Sequence, residues 1–355
     1  MKAAIIILGN TWVCPYVDTY KHILDKKGCA YDVILWDRDG SDADAKFAFS
    51  AEKANLDNPL VKAACYVRYA RFIRRVVREN KYDRLVISGP HLAILLSSFL
   101  RKGYKGRYLV DYRDISIEQK PFLYGIYSKV LADSYCNVIS SPGFRKYLPG
   151  KYEYLLSHNF GIEKAVNSLV AEMPAFEPDV PLKVLTIGAI RNFESNVRVL
   201  ESLGNNDAYR LSFVGRGEAS GRLKEYALLH NVRNVEFAGY YKKEDEVAIV
   251  NECSFINIVF PNDIKHSAIM SNRFYLALVH KKPVLVTAGS TQAALVEKYA
   301  LGVVVSDCKE IDAGIRKYLS EFDYCEFCKR CNSLLSVFIE DYNALERAVG
   351  EFVRE

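Results

Sequence analysis

Arg191, Arg273 and a set of glycines that follow apolar runs are the residues of this 355-residue chain best suited to chemistry, and the chemistry they suit is the handling of a diphosphate. In Leu185-Thr186-Ile187-Gly188-Ala189-Ile190-Arg191 an apolar run stops at Gly188 and an arginine follows. Glycine admits a ligand close to the backbone, and a planar guanidinium can clasp phosphate oxygens with paired donors. Phe213-Val214-Gly215-Arg216-Gly217 repeats the arrangement. Ser271 can cap a helix that starts with Asn272 and Arg273, where free amides and a cation would face an anion. Proton transfer has its own candidates. Asp111, in Val110-Asp111-Tyr112-Arg113-Asp114, and His91, after Gly89-Pro90, both follow apolar runs, a placement from which either can take a proton from a hydroxyl. Asp111 and Arg113 equally suit a structural ion pair. Gly9, Asn10 and Thr11 follow the first apolar run and are expected to line the same cleft, with Ser140-Ser141-Pro142 and His158-Asn159 as further candidates.

Placing these groups at strand ends requires strands that alternate with helices, and the pattern supplies them. Strands are expected at 3–8, 31–36, 84–88, 107–111 and 135–140, with helices over 20–27, 60–78, 91–100 and 122–132. The polar stretch 40–59 reads as a loop with a short helix. Pro174, Pro178 and Pro181 mark a linker, after which strands recur at 183–187, 210–214, 235–239 and 254–259, with helices near 196–203, 219–230 and 244–252. Residues 272–305 add a helix, a strand, a glycine turn, a helix and a strand. Apolar runs without strict alternation, separated by helices, imply parallel sheets covered on both faces. The expected domains are 1–170, a linker at 171–182, a second domain at 183–322, and C-terminal helices at 323–337 and 339–353.

The ordered motifs of residues 183–305, ending in Lys282-Pro283-Val284, resemble the donor-binding domain of two-domain (GT-B) glycosyltransferases, in particular bacterial family-4-type (group 1) enzymes of capsular and exopolysaccharide synthesis. The resemblance implies an α/β fold of GT-B architecture, two Rossmann-like domains with parallel sheets facing across a cleft, and C-terminal helices crossing back to the first domain. It also implies a donor site formed by Gly188, Arg191, Gly215, Gly217, Tyr240, Ser271, Asn272 and Arg273, with Tyr240 beside the base. Asp111-Tyr112-Arg113-Asp114 resembles an Asp-x-Arg-Asp segment of the acceptor domain in several bacterial members, so Asp111, His91 and Arg113 are the expected catalytic residues. The chain departs from many retaining members at Ala268 and Leu276, where they carry two glutamates, and at Asn196, near a position where a lysine is common.

The expected activity is transfer of a hexose-type sugar from a nucleotide-sugar donor to a glycan or polyprenyl-diphosphate-linked acceptor, without a metal or other cofactor. Alternatives are a nucleotide-sugar 2-epimerase and a catalytically degenerate binding or scaffold protein. The run Ala3 to Leu8 is too short for a bilayer and reads as a first strand, so a cytoplasmic location is expected. Nine cysteines in a long chain read as reduced thiols, and Cys325, Cys328 and Cys331 as a helix face. Net charge is only +5, but Arg68, Arg71, Arg75 and Arg78 gather beside an apolar stripe of Val61, Cys65, Tyr69, Phe72 and Val76. That flank suits an anionic membrane surface, making the protein peripheral on the inner face of the plasma membrane. Nucleic acid is not expected, because no groove-reading module or stacking pattern is present.

Overall fold

A computed structural model describes residues 1–42, 45–51, 57–171 and 181–354. The chain forms two compact units, Met1–Asn159 with Glu340–Glu355, and Phe160–Ile339. Most of the predicted linker, residues 172–180, lies outside the described residues. Residues 160–170, which the sequence reading assigns to the first domain, cluster with the second unit.

The first unit contains β1 (Lys2–Ile6), α1 (Val17–Lys26), β2 (Ala30–Asp37), β3 (Phe47–Ser50), α2 (Pro59–Glu79), β4 (Arg84–Ser88), α3 (Pro90–Leu95), α4 (Ser97–Gly103), β5 (Tyr108–Tyr112), α5 (Pro121–Asp133), β6 (Asn137–Ile139) and β7 (Leu155–Leu156). Its seven strands pair in the order β3-β2-β1-β4-β5-β6-β7, all parallel. Chain order reverses between β1 and β4, so the loops after these two strands diverge and leave a crevice at the strand ends. Right-handed crossovers put α1 on one face of this sheet and α2 to α5 on the other. Val17, Tyr20, Ile23 and Leu24 of α1 accordingly pack with Ile5, Val86 and Leu109 in one core. Burying each such side chain contributes about 1.5–3 kcal/mol.

Helix α2 starts cleanly because Asn58 accepts from Leu60 N at 3.0 Å and Pro59 occupies the first turn. Its buried face is Cys65, Tyr69, Ala70, Ile73, Val76 and Val77. The predicted stripe is thus rotated: Val61 and Phe72 are half-buried, and Ala70, Ile73 and Val77 take the inner positions.

The second unit contains α6 (Ile162–Val170), β8 (Leu182–Ile187), α7 (Phe193–Leu203), β9 (Tyr209–Val214), α8 (Ser220–Leu229), β10 (Val235–Gly239), α9 (Glu246–Asn251), β11 (Phe255–Ile258), α10 (Ile264–Ala268), α11 (Asn272–Val279), β12 (Val284–Thr287), α12 (Thr291–Tyr299), β13 (Gly302–Val305) and α13 (Ile311–Ser320). Its parallel sheet runs β10-β9-β8-β11-β12-β13, with the reversal between β8 and β11. Both domains are therefore the Rossmann-like α/β units that the alternation implies.

Strands β3 and β7 and helix α6 were not expected from the sequence. The two strands are short sheet additions whose stability comes from pairing with a formed neighbour rather than from their own pattern. The two expected C-terminal helices are one 29-residue helix, α14 (Tyr324–Phe352). Its Phe327, Cys331, Leu334, Leu335 and Phe338 enter a core of the second unit, and its Leu345, Val349 and Phe352 a core of the first. Arg84 Nε donates to Phe352 O at 2.6 Å, and Lys26 pairs with Glu346 at 2.7 Å. Among the described residues, no helix is long and apolar enough to cross a membrane.

Candidate active site

In the second unit the glycine loops converge at the ends of β8 and β9. Gly188 has φ +88° and open space where a Cβ would lie, so it is free for close approach. Gly215 and Gly217 are constrained differently. A Cβ on Gly215 would strike the Gly188 carbonyl, and one on Gly217 the Ile190 carbonyl. Their glycine is thus already required by the packing of one backbone loop on the other, and these two positions shape the Gly188 loop from behind.

Arg273 departs from its expected place. Its side chain is buried, and its guanidinium donates to Ile187 O (2.6 Å), Ala189 O (2.9 Å) and Asn257 O (3.2 Å). Burial pulls its pKa down to about 10, with Tyr241 opposing. A fork spent on three carbonyls positions the β8 and β11 ends; it is not a free phosphate clamp. Arg191 is the complement: it is exposed, and no side-chain partner is found for it among the described residues. Its backbone is held, because Asn196 Nδ2 donates to Arg191 O at 2.7 Å and to Asn192 O at 3.0 Å. Asn196 therefore fixes the loop that presents Arg191. The sequence alone marks this residue only as a departure from the family pattern.

The start of α11 forms as expected, with Ser271 Oγ accepting from Arg273 N at 3.2 Å. Gln292, fully buried at the start of α12, accepts from Ser271 N at 3.0 Å, which ties the two helix starts together on this edge. Asn272 is the first residue of α11. Phe260, His266, Ser267, Thr287 and Gln292 line a shallow depression at the start of α12. His266 is aligned by Asp263 (Nδ1 to Oδ2, 2.7 Å), and its Nε2 lies 3.3 Å from Asn192 Nδ2. Tyr240 is 67% exposed with the Arg216 guanidinium 5.2 Å from its ring centre, so one aromatic face is open to stack on a base. Ala268 is buried and Leu276 packs against the core, so neither expected carboxylate position is polar.

In the first unit Asp111 is fully buried on β5 and pairs with Arg113 Nη2 at 2.7 Å. Arg113 also donates to Ser157 O (2.9 Å) and Ser157 Oγ (2.8 Å), and its guanidinium lies 4.3 Å from the Tyr16 ring centre. Burial raises the Asp111 carboxyl above its ordinary range against the pull of Arg113. A carboxylate without solvent contact cannot exchange a proton with an arriving hydroxyl unless the pair opens. Asp111 and Arg113, expected as catalytic residues, form a buried ion pair, an arrangement that suits positioning of the β5 end.

His91 retains the features of a base. It sits half-buried in the first turn of α3, after Gly89 (φ +85°), stacked on Tyr66 with ring centres 5.6 Å apart and Ser116 Oγ 3.2 Å from the imidazole. Burial lowers its pKa, Lys62 and Arg38 add to this, and Glu118 opposes it, so the ring is neutral near pH 7. Glu118, missed by the sequence reading, is buried and accepts from Tyr112 Oη at 2.6 Å and from Ser116 N.

The acceptor residues are also partly reassigned. Asn10 is buried, donating to Asp37 Oδ1 (2.6 Å) and Ser41 Oγ (3.0 Å) and accepting from Arg38 N (3.0 Å). Thr11 Oγ1 donates to Asp42 at 2.6 Å. Both side chains knit the β1 and β2 loops together and are not free for substrate. Gly9 is buried at the same strand end, and Trp12 and Val13, 68% and 54% exposed, are side chains this loop presents outward. No group of three or more His, Cys, Asp or Glu side chains suited to a metal occurs among the described residues.

No protein-family model matches the chain, and no curated protein matches it by sequence. Solved structures match over its whole length. Sucrose-phosphate synthase from Thermosynechococcus elongatus superposes with a TM-score of 0.72 at 13% identity, covering 100% of this chain and 98% of that one. The lipopolysaccharide outer core galactosyltransferase WaaB matches with a TM-score of 0.68 at 10% identity, over 98% and 99% of the two chains. Anabaena HepE in complex with UDP and glucose gives 0.66 at 12%, over 100% and 99%. With two parallel Rossmann-like sheets and these neighbours, the fold of the chain is that of the GT-B glycosyltransferases.

Proposed function

We propose that the protein is a glycosyltransferase that moves a hexose-type sugar from a nucleoside-diphosphate donor to a glycan or polyprenyl-diphosphate-linked acceptor in surface polysaccharide synthesis. The observation that carries this reading is Arg191. It is exposed and has no side-chain partner found among the described residues, on a loop held from behind by Asn196 and Arg273 at the edge where α11 and α12 begin. A cation and helix starts at one strand edge are suited to the negative charge that develops on a departing diphosphate, and they can stabilise it without a metal. Tyr240 offers its ring to the base. His91 is the residue assigned to take the proton of the acceptor hydroxyl, because it is neutral and not ion-paired. A cytoplasmic protein meeting the inner face of the plasma membrane through Arg68, Arg71, Arg75 and Arg78 would reach a lipid-linked acceptor.

A thermal-shift series with UDP, GDP, CMP, dTDP and ADP tests the donor site. One nucleotide is expected to raise Tm, by an amount corresponding to about 2.7 kcal/mol at a hundredfold excess over Kd. No stabilisation by any of them, together with no donor-dependent transfer or hydrolysis, would refute the reading. The assignment of His91 adds a pH signature. Its folded pKa lies below the ordinary value of about 6.5, so the base form predominates at pH 7 and is lost as pH falls through the lowered pKa. The acid limb of kcat/KM is therefore expected below about pH 6.5. It should vanish in His91→Gln, whose residual rate should no longer vary with pH in that range.

A further inference from the structure

The run Cys325-Glu326-Phe327-Cys328-Lys329-Arg330-Cys331 opens α14, and the transferase reading makes no use of it. Its three thiols differ in access. Cys325 is the one exposed cysteine of the nine, all of which lie among the described residues, whereas Cys328 is half-buried and Cys331 enclosed. Asp323 sets where the helix begins, since its Oδ1 accepts from Glu326 N at 2.9 Å. Cys325 and Cys328 therefore stand one turn apart at the helix start, with Phe327 between them anchored in a core of the second unit. A cation lies nearby. Lys281 is buried, its Nζ donates to Ser168 Oγ (2.9 Å) and Leu278 O (3.3 Å), and its electrostatic neighbours are Cys331 and Cys328. Burial raises the Cys328 thiol pKa, and the Tyr324 hydroxyl and Lys281 oppose that rise. Cys331 is pushed up to about 12 by burial, which keeps it protonated as well as out of reach.

Residues three apart on a helix hold their Cβ atoms about 5–6 Å apart, whereas a disulfide needs about 3.5–4.5 Å. Tightening the first turn to 3₁₀ geometry eclipses such a pair and closes the gap, and helix starts adopt that geometry readily. Cys328 and Cys331 share the spacing, but Cys331 sits inside the core and meets no oxidant. We propose that Cys325 and Cys328 form a redox-active dithiol, oxidised reversibly to an intrachain disulfide by a small-molecule disulfide. Cys325, as thiolate, attacks one sulfur of that reagent. A mixed disulfide forms, the reagent's own S–S bond breaks, and its first half leaves as a thiolate that takes up the proton Cys325 released. Cys328 then attacks the Cys325 sulfur, the protein disulfide forms, and the second half leaves with the proton of Cys328. The chain gives up two electrons and two protons, and one small disulfide becomes two thiols. Neither step involves a nucleotide or a sugar, so this inference stands apart from the transferase reading.

The test treats the full reduced chain with excess oxidised glutathione, alkylates the remaining thiols and reads peptide masses. The peptide carrying Cys325 and Cys328 is expected to lose two hydrogens and escape alkylation at both residues, and dithiothreitol should restore both thiols. Cys328→Ser should stop at a glutathione mixed disulfide on Cys325. Cys325→Ser should leave Cys328 reduced over the time in which the wild type is fully converted. Lys281→Met, which removes the cation beside Cys328, should prolong the life of the mixed disulfide. Cys325 holding glutathione in the wild type without closing onto Cys328, or linking two copies of the chain instead, would overturn the proposal. So would equal closure in wild type and Cys325→Ser through Cys328 and Cys331.

Discussion

Arg113→Met is expected to destabilise the first unit by about 3–5 kcal/mol, because it leaves the Asp111 carboxylate buried without its counter-charge. For a domain of this size that corresponds to a fall in Tm of roughly 6–20 °C. Asp111 is wholly inaccessible and Arg113 nearly so, so solvent does not screen the pair. Asp111 depends most on the pairing: its Oδ1 has no hydrogen-bond partner, which leaves the 2.7 Å contact as the main compensation for its charge, whereas Arg113 keeps its bonds to Ser157. Replacing both residues at once, as Asp111→Leu/Arg113→Met, removes both desolvation costs and should recover most of the lost stability. The double variant also separates structure from chemistry. A positioning pair predicts that transfer activity returns with the fold. If the double variant regained its Tm but stayed inactive, Asp111 would have to be restored as the base. A loss below about 1 kcal/mol in Arg113→Met would instead show that the pair is open in solution.

The second large effect is a division of labour between two arginines of the other unit. Arg191→Ala is expected to weaken nucleoside-diphosphate binding by about 10- to 100-fold, the worth of one hydrogen bond to a charged group, with no change in Tm. Arg273→Met should do the opposite first. It leaves the carbonyls of Ile187, Ala189 and Asn257 without their donor, and buried polar groups left unmade cost about 1–3 kcal/mol each. A Tm loss should therefore precede any loss of binding, and nucleotide affinity should fall only as far as the Gly188 loop shifts. Calorimetric binding and thermal unfolding on the same samples decide it. Unchanged affinity in Arg191→Ala would remove the main support for the donor site. Lost affinity at unchanged Tm in Arg273→Met would return Arg273 to the role of direct clamp.

Much of the frame was legible because parallel sheets need apolar runs that are buried on both faces. Residues 3–7 and 85–87, for example, carry that signature without reference to any partner. The turn glycines were legible for the same local reason. Strand β3 was not, since Phe47-Ala48-Phe49-Ser50 is too short to stand out and is held by pairing with Ile34 to Asp37 of β2. The break expected near residue 338 was also absent, because one helix can leave a core through Phe338 and enter another at Leu345 without any change in its own hydrogen bonding.

Within the candidate site the division is sharper. Residue type and position after an apolar run identified Arg191, Arg273, Asp111 and His91 as groups worth attention, but their partners were hidden. Arg273 is paired to carbonyls up to 86 residues away, Arg113 to Ser157 44 residues away, and Asn10 to Asp37 27 residues away. By itself the sequence determined the alternation, the two parallel sheets and the strand ends to which chemistry would come, since those follow from local periodicity and turn residues. Only the tertiary structure decided which charged groups are spent holding backbone and which remain open, because that depends on carbonyls and carboxylates brought together from distant parts of the chain, where desolvation makes every unpaired charge costly.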